Sequence, residues 1–272
     1  MAGKSGFRGK PFVGGGRSDG QRTDRAEKDQ ASARRGDPDV ALIWGFHAVQ
    51  AALRSPRRKL LRLYATEAAA AKFADDAAER KLAVSIVAPA DIDARVPRDA
   101  IHQGALLEAR HLEPIDISEL PADGLILVLD QVTDPHNVGA IMRTAAAYGV
   151  DAVVVTERHS PAATGVLAKS ASGALEHVPM CEVVNLARAM RELGDMGFTR
   201  VGLDSEADTS LADAPLARPL VLALGAEGKG LRRLTRENCD VVARLDLPGA
   251  IKSLNVSNAC AVALTIVSTR GR

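Results

Sequence analysis

Apolar runs of strand length alternate with helix-patterned segments and predict an α/β protein of two domains, the second built on a parallel sheet. Three observations carry that prediction. Stretches such as GLILVLD and PLVLALG are continuous and short, as expected of strands covered on both faces. The segments between them place apolar residues at helical spacing, as in NVGAIMRTAAAYGV with Val138, Ile141, Met142 and Ala145 on one face. The proline-containing EPIDISELPADG lacks either period and separates two such series, so it reads as a linker.

In order, ALIWGFHAVQAALRS reads as a short strand, a Gly turn and a helix turning Val49, Ala52 and Leu53 inward. KLLRLYAT is a strand, AAAAKFADDAAERK a helix by composition, LAVSIVA a strand, DIDARV a short helical turn, and GALLEARHL closes a small α/β domain over residues 40–112. Residues 113–122 form the linker, and residues 123–272 the second domain. There LILVLDQV, DAVVVTE, VPMCEV, TRVGLDS, PLVLALG and VVARLDL read as strands. NVGAIMRTAAAYGV, TGVLAKSASGAL, NLARAMRELGDMG, GLRRLTRENC and a closing segment from about Asn255 read as helices. Before all this, residues 1–39 hold Lys, Arg and Gly with few large apolar residues. Such a segment cannot bury enough surface to offset its ordering entropy and is expected to be disordered. As a basic tail it reads equally as a tether for RNA or as a solvated end without function.

Composition narrows the class. The chain has 272 residues with 46% hydrophobic and 25% charged, enough for real cores and ordinary for a globular protein. Aromatics make up 3%, so Ala, Val, Leu and Ile must fill those cores. No apolar run approaches the roughly 18–20 residues that span a bilayer, and the basic N-terminus lacks the apolar stretch of a secretory signal. The expectation is a cytoplasmic protein. Cys181, Cys239 and Cys260 form no CxxC pair and stand at no ligand spacing from a His, so they read as reduced, mostly buried thiols rather than a disulfide or metal site.

Three turns after strands of the second domain carry more polar chemistry than turns need. In open α/β sheets ligands sit beyond the carboxyl ends of the strands, where all three turns fall. In LDQVTDPHNVGAIMRT, Asn137 reads as the cap of the next helix, Gly139 allows close backbone approach, and Arg143 interrupts an Ala-rich helix. A lone Arg there reads as a surface cation, and His136 as a turn residue. In ALGAEGKGLRRLT, Gly225, Gly228 and Gly230 expose backbone around Glu227, which could accept bonds from Asn137 or a cation. The order of glycines fits neither a dinucleotide fingerprint nor a P-loop. In RLDLPGAIKSLNVSNACAVAL, one Ser or Asn suffices to cap a helix, yet Ser253, Asn255, Ser257 and Asn258 crowd its start. The surplus suggests a site.

Together N-x-G-x-x-x-R-T (Asn137–Thr144), G-x-E-x-x-G (Gly225–Gly230) and L-P-G…S-L-N-V-S (Leu247–Ser257) closely resemble the SpoU/TrmH branch of the SPOUT methyltransferases, in order and over about 150 residues. The first domain resembles the L30e-like RNA-binding domain that precedes the catalytic domain in bacterial ribosomal RNA guanosine 2′-O-methyltransferases. The resemblance implies a C-terminal domain closed by a deep trefoil knot, a fold feature nearly absent elsewhere. It implies S-adenosylmethionine as cofactor, RNA as substrate and a homodimer, with no metal. Leu224, Gly225, Glu227, Gly228, Leu245, Leu247, Leu254 and Asn255 would line the cofactor pocket. Arg143 would stand at the reacting 2′-hydroxyl among Asn137, Glu227, Ser253 and Asn255, and so turns from a surface cation into a catalytic group. Its role stays open between base and orienting group, since a guanidinium pKa lies above about 12. Arg232, Arg233 and Arg236, on the helix after the second motif, read equally as phosphate contacts and as a solvated face. The family's usual I-P-M/L-x-G reads Leu245-Asp246-Leu247-Pro248-Gly249 here, with the proline displaced. Ribosomal RNA is the expected target and transfer RNA the alternative. A non-enzymatic RNA-binding or ribosome-assembly protein on the same scaffold is the rival from another class.

Overall fold

The structure is a computed structural model, and it describes residues 39–158 and 165–270. The tail expected over residues 1–39 lies, but for Asp39, outside the described residues.

The first series of elements folds around a four-stranded mixed sheet. Its strands are β1 (Val40–Trp44), β2 (Leu60–Ala65), β3 (Val84–Ile86) and β4 (Ala105–Arg110), in the order β1-β4-β2-β3. β4 runs antiparallel to both neighbours, and β2 pairs with β3 in parallel. Helices α1 (Phe46–Arg54) and α2 (Glu67–Glu79) cover one face, burying Val49, Ala52, Leu53 and Phe73 against Leu63 and Leu107. The short α3 (Pro89–Asp93) packs Ile92 with Trp44 and Leu106 on the other.

The second series builds a seven-stranded sheet in the order β7-β6-β5-β10-β8-β11-β9. Its strands are β5 (Leu125–Asp130), β6 (Ala152–Thr156), β7 (Met180–Val183), β8 (Thr199–Leu203), β9 (Thr209–Ser210), β10 (Leu220–Gly225) and β11 (Val241–Arg244). Every neighbouring pair is parallel, as the continuous apolar runs predict. On β5, Leu125, Leu127 and Leu129 pack on one face while Ile126 and Val128 pack on the other. Helices α4 (Pro135–Ala147), α5 (Gly165–Ala171) and α8 (Val256–Arg270) follow the first face; α6 (Leu186–Asp195) and the short α7 (Arg233–Glu237) follow the second.

The segment read as a linker is packed: Ile117 and Leu120 are buried in the second core, and Ile115 makes a parallel bridge to Cys181. Its apolar residues are too few to show a period but enough to dock. Three sequence expectations need correction, all of them at helix ends. TGVLAKSASGAL is not one helix, because Ser172 and Gly173 adopt φ +50° and +91°, ending α5 before a 3-10 turn at Ala174–Glu176. The helix expected over GLRRLTRENC is only α7, and Arg232 precedes it. Asn137 does not cap α4. Asp134 does, accepting from the His136 amide at 3.0 Å, with Pro135 as the first helical residue. Gly139 behaves as expected: a Cβ there would lie 2.3 Å from Ser170 Cβ, so its absence lets α4 and α5 touch.

Among the described residues no helix is long and apolar enough to cross a membrane, and no group of three or more His, Cys, Asp or Glu could hold a metal ion.

Candidate functional site

Register brings the three polar turns together. β5 and β10 pair so that Asp130 lies opposite Gly225, and β8 pairs with β11 so that Leu203 lies opposite Ala243. The chains leaving β8, β10 and β11 therefore emerge side by side at one edge of the sheet. A cavity of about 680 Å³ opens between them, within the range of small-molecule sites. Leu203, Leu224, Leu245, Leu247 and Leu254 give it an apolar wall; Glu227, Ser253 and Asn255 give it a polar one.

The turn after β10 folds back on itself. The Gly230 amide donates to the Ala226 carbonyl at 2.9 Å, and a Cβ on Gly225 would fall 2.1 Å from the Gly230 carbonyl carbon. Only glycine at 225 allows that return. It carries Glu227 out beside the starts of α4 and α8. There Asn137 donates to Glu227 Oε1 at 3.0 Å, and Asn255 donates to the same oxygen at 2.5 Å and to Asn137 Oδ1 at 3.1 Å. Asn255 serves twice, since its own Oδ1 accepts from the Ser257 amide (2.9 Å) and hydroxyl (2.6 Å) and so caps α8. Three residues spread over 118 positions thus form one closed amide–carboxylate triangle. A smaller depression of about 440 Å³ borders it, walled by Gln131, Thr133, Asn137, Glu227 and Lys229. Gln131 turns the chain there with φ +61°, a backbone region few residues adopt without support.

Of the expected site residues, Leu224, Gly225, Glu227, Gly228, Leu245, Leu247, Ser253, Leu254 and Asn255 all line the large cavity, and Asn137 lies at its border through Glu227. Arg143 does not join them. It is exposed, lines neither depression, and has no bonding partner among the described residues. The three arginines after the second motif all have internal partners. Arg232 Nε lies 2.5 Å from the fully buried Asp130, whose other oxygen takes the Arg232 amide; Arg233 pairs with Glu237 at 2.6 Å, and Arg236 with Asp204. Much of their charge is therefore met locally. Asp246, at the displaced-proline position, accepts from the Ser210 hydroxyl and lies 3.3 Å from Arg244, so polar ties hold that loop. Lys252 closes it by donating to the Leu247 carbonyl at 2.7 Å. The sequence reading missed Asp204, Ser205 and Glu206, which line the cavity after β8. Their signal was position alone: a polar run at a strand's carboxyl end.

The residues suit a nucleoside-bearing ligand. The leucines offer an apolar slot, and a Cβ on Gly228 or Gly230 would meet no described atom within 4 Å.

Residues 124–265 match the family model described as SpoU rRNA Methylase, and residues 42–115 match that described as RNA 2′-O ribose methyltransferase substrate binding. The chain is 40% identical over 235 residues to the 23S rRNA (guanosine-2′-O-)-methyltransferase RlmB of Pseudomonas putida, covering 82% of this chain and 93% of that protein. It is 39% identical over 246 residues to RlmB of Yersinia pestis, covering 85% and 98%. Among solved structures, the SpoU methyltransferase AviRb from Streptomyces viridochromogenes, in complex with AdoMet, matches with a TM-score of 0.75 at 21% identity, over 91% of this chain and 99% of that one. This last likeness is one of fold.

Proposed function

Because the chain belongs to the SpoU rRNA methylase family, we propose that it methylates the 2′-hydroxyl of a guanosine in 23S rRNA, using S-adenosylmethionine. The carrying observation is the Asn137–Glu227–Asn255 triangle at the mouth of a leucine-walled cavity.

S-adenosylmethionine, when bound, supplies a methyl group already activated by the sulfonium. The chain's task is to hold that group and align an oxygen with it, and positioning of this kind is worth several kcal/mol. Leu224, Leu245, Leu247 and Leu254 with the Gly225–Gly228 backbone would hold the adenosine part. Both asparagine amides donate to Glu227 Oε1, which leaves Oε2 as the acceptor for a ribose hydroxyl. Ser253 lies within the same wall to bond the incoming strand. Only RNA offers a 2′-hydroxyl at every residue.

Arg143 orients phosphate and 2′-oxygen in this reading and stabilises charge that develops on the oxygen, since a guanidinium stays protonated. Within one chain it follows Asn137 by six residues, about 9 Å along the axis of α4 and about 120° around it. The proposal therefore includes a homodimer whose second copy completes the site. Exposed Tyr148, just after α4, and Val262, on α8 packed against α4, suit such a contact. A trefoil knot made from the C-terminal part of the chain and a cytoplasmic place of work belong to the same reading.

The deciding experiment supplies labelled S-adenosylmethionine and 23S rRNA and maps ribose methylation. One new 2′-O-methylguanosine is expected; unchanged rRNA would overturn the assignment. Mixing Arg143→Ala chains with Glu227→Ala chains tests the dimer. Restored activity is expected if Arg143 acts across it, and a dead mixture would place Arg143 in its own chain's site.

A further inference from the structure

A second depression, of about 550 Å³, opens at the same edge of the large sheet and shares no lining residue with the leucine-walled cavity. It lies among the end of β6, the start of α6 and the residues leading into α7. We infer that it binds a neighbouring nucleotide of the RNA strand, with a phosphate against Arg158 and a base over Val184 and Leu234. The inference rests on the RNA-methylation reading above.

Charge comes first. Arg158, Arg232 and Arg233 line the depression, and among the described residues no carboxylate does. Two of the three are held: Arg232 by buried Asp130, Arg233 by Glu237. Arg158 is exposed and without a partner among the described residues, so no described carboxylate competes with an oxyanion for its fork. The opening turn of α6, ten residues long, also faces the depression through Leu186 and Ala187, so the positive end of a helix adds to the arginines. Asn185 caps that helix through Oδ1, accepting from the Arg188 amide at 3.0 Å, and its own amide group has no partner among the described residues.

Apolar chemistry comes second. Val184 is 79% exposed and Leu234 49% exposed, both at this one opening. An inorganic anion has no use for them, whereas a base or ribose covers such surface. Thr156, in the wall, is 5% exposed, and its hydroxyl has no partner among the described residues. Buried hydroxyls rarely go unpaired, so this one is a donor waiting for a ligand or its water.

Placement comes third. Arg232 is fixed by Asp130, and the next residue, Gln131, walls the depression beside Asn137 and Glu227. One strand can therefore pass from the methylation triangle to Arg158 along a single sheet edge. Phosphate contacts of this sort set register rather than sequence.

The test uses the full chain with S-adenosylmethionine and a single-stranded 23S rRNA fragment. Arg158→Glu should raise KM for the fragment about tenfold and lower the salt slope of binding by about one, with kcat and cofactor affinity within about twofold of wild type. Arg158→Lys should recover most of the loss, and Val184→Asp should reproduce it without changing a cation. A KM unchanged by Arg158→Glu overturns the inference, as does full displacement of RNA from the wild type by inorganic phosphate or guanosine monophosphate at their ordinary millimolar affinities. Wild-type protein that binds the fragment through Arg158 yet methylates nothing would instead sink the catalytic reading and leave this site standing.

Discussion

Arg58 and Glu176, 118 residues apart, meet in an ion pair with both side chains only 4% exposed. Arg58 Nη2 and Nε reach Glu176 Oε1 at 2.5 and 3.0 Å, and Nη1 donates to the Arg110 carbonyl at 2.9 Å. Arg58 stands before β2 of the small sheet, and Glu176 in the 3-10 turn after α5. The buried pair thus ties the segment before β2 to the turn after α5.

Removing one partner of such a pair strands the other charge without water. Glu176→Gln should therefore destabilise the protein by about 3–5 kcal/mol. Urea denaturation reads this directly. Arg58→Met combined with Glu176→Leu should lose clearly less than the two single changes summed, because neither variant residue leaves a charge behind. A double variant as weak as that sum would show that the pair is not coupled.

Gly225→Ala tests the folded-back turn. The new methyl would meet the Gly230 backbone at 2.1 Å, and backbone cannot swing aside as a side chain can. The turn carrying Glu227 must open, at a cost of about 1–3 kcal/mol. Calorimetry should show at least a tenfold loss in S-adenosylmethionine affinity. Undiminished binding would mean that the turn does not shape the pocket.

The three cysteines give a pH signature. Burial, the largest cause at each, pushes Cys181 and Cys239 up to about 11 and Cys260 to about 12. In the unfolded chain they titrate near 9. Above that pH the unfolded chain releases protons that the folded one keeps, so stability falls from about pH 9 toward 11–12 and is unaffected by these groups below. The slope should approach 1.4 kcal/mol per pH unit for each thiol. Denaturant midpoints at pH 8 and pH 10.5, for wild type and Cys260→Ala, measure it. A slope unchanged in Cys260→Ala would exclude that thiol as a contributor.

What the sequence disclosed follows from how local each signal is. The parallel sheet was legible because β5 and β10 are buried on both faces and so carry unbroken apolar runs. The polar turns were legible because a helix start needs one cap and this chain supplies several. The identity of the α4 cap was misread although Pro135, a first-turn residue by preference, points to Asp134. The Arg232–Asp130 and Arg58–Glu176 pairs were invisible, since they depend on register across 102 and 118 residues. Arg143 is the reverse case: its motif position is plain, yet within this chain it is exposed and stands outside the leucine-walled cavity.

Asn255 separates helix capping from site chemistry within one side chain. Its Oδ1 takes the Ser257 amide and hydroxyl, while its Nδ2 gives to Glu227 and Asn137. Asn255→Ala removes both functions, so stability should fall by about 1 kcal/mol and methyl transfer by at least about a hundredfold. Asn255→Asp keeps an acceptor at the helix start, where a negative charge is also favoured by the helix dipole. It loses the donor and sets a carboxylate against Glu227. Asp should thus restore much of the cap energy in urea melts while leaving methyl transfer as low as in Ala. If Asp restores activity along with stability, the crowded polar start of α8 is only a cap. If activity stays lost in a protein as stable as wild type, the surplus of polar groups there belongs to the reaction.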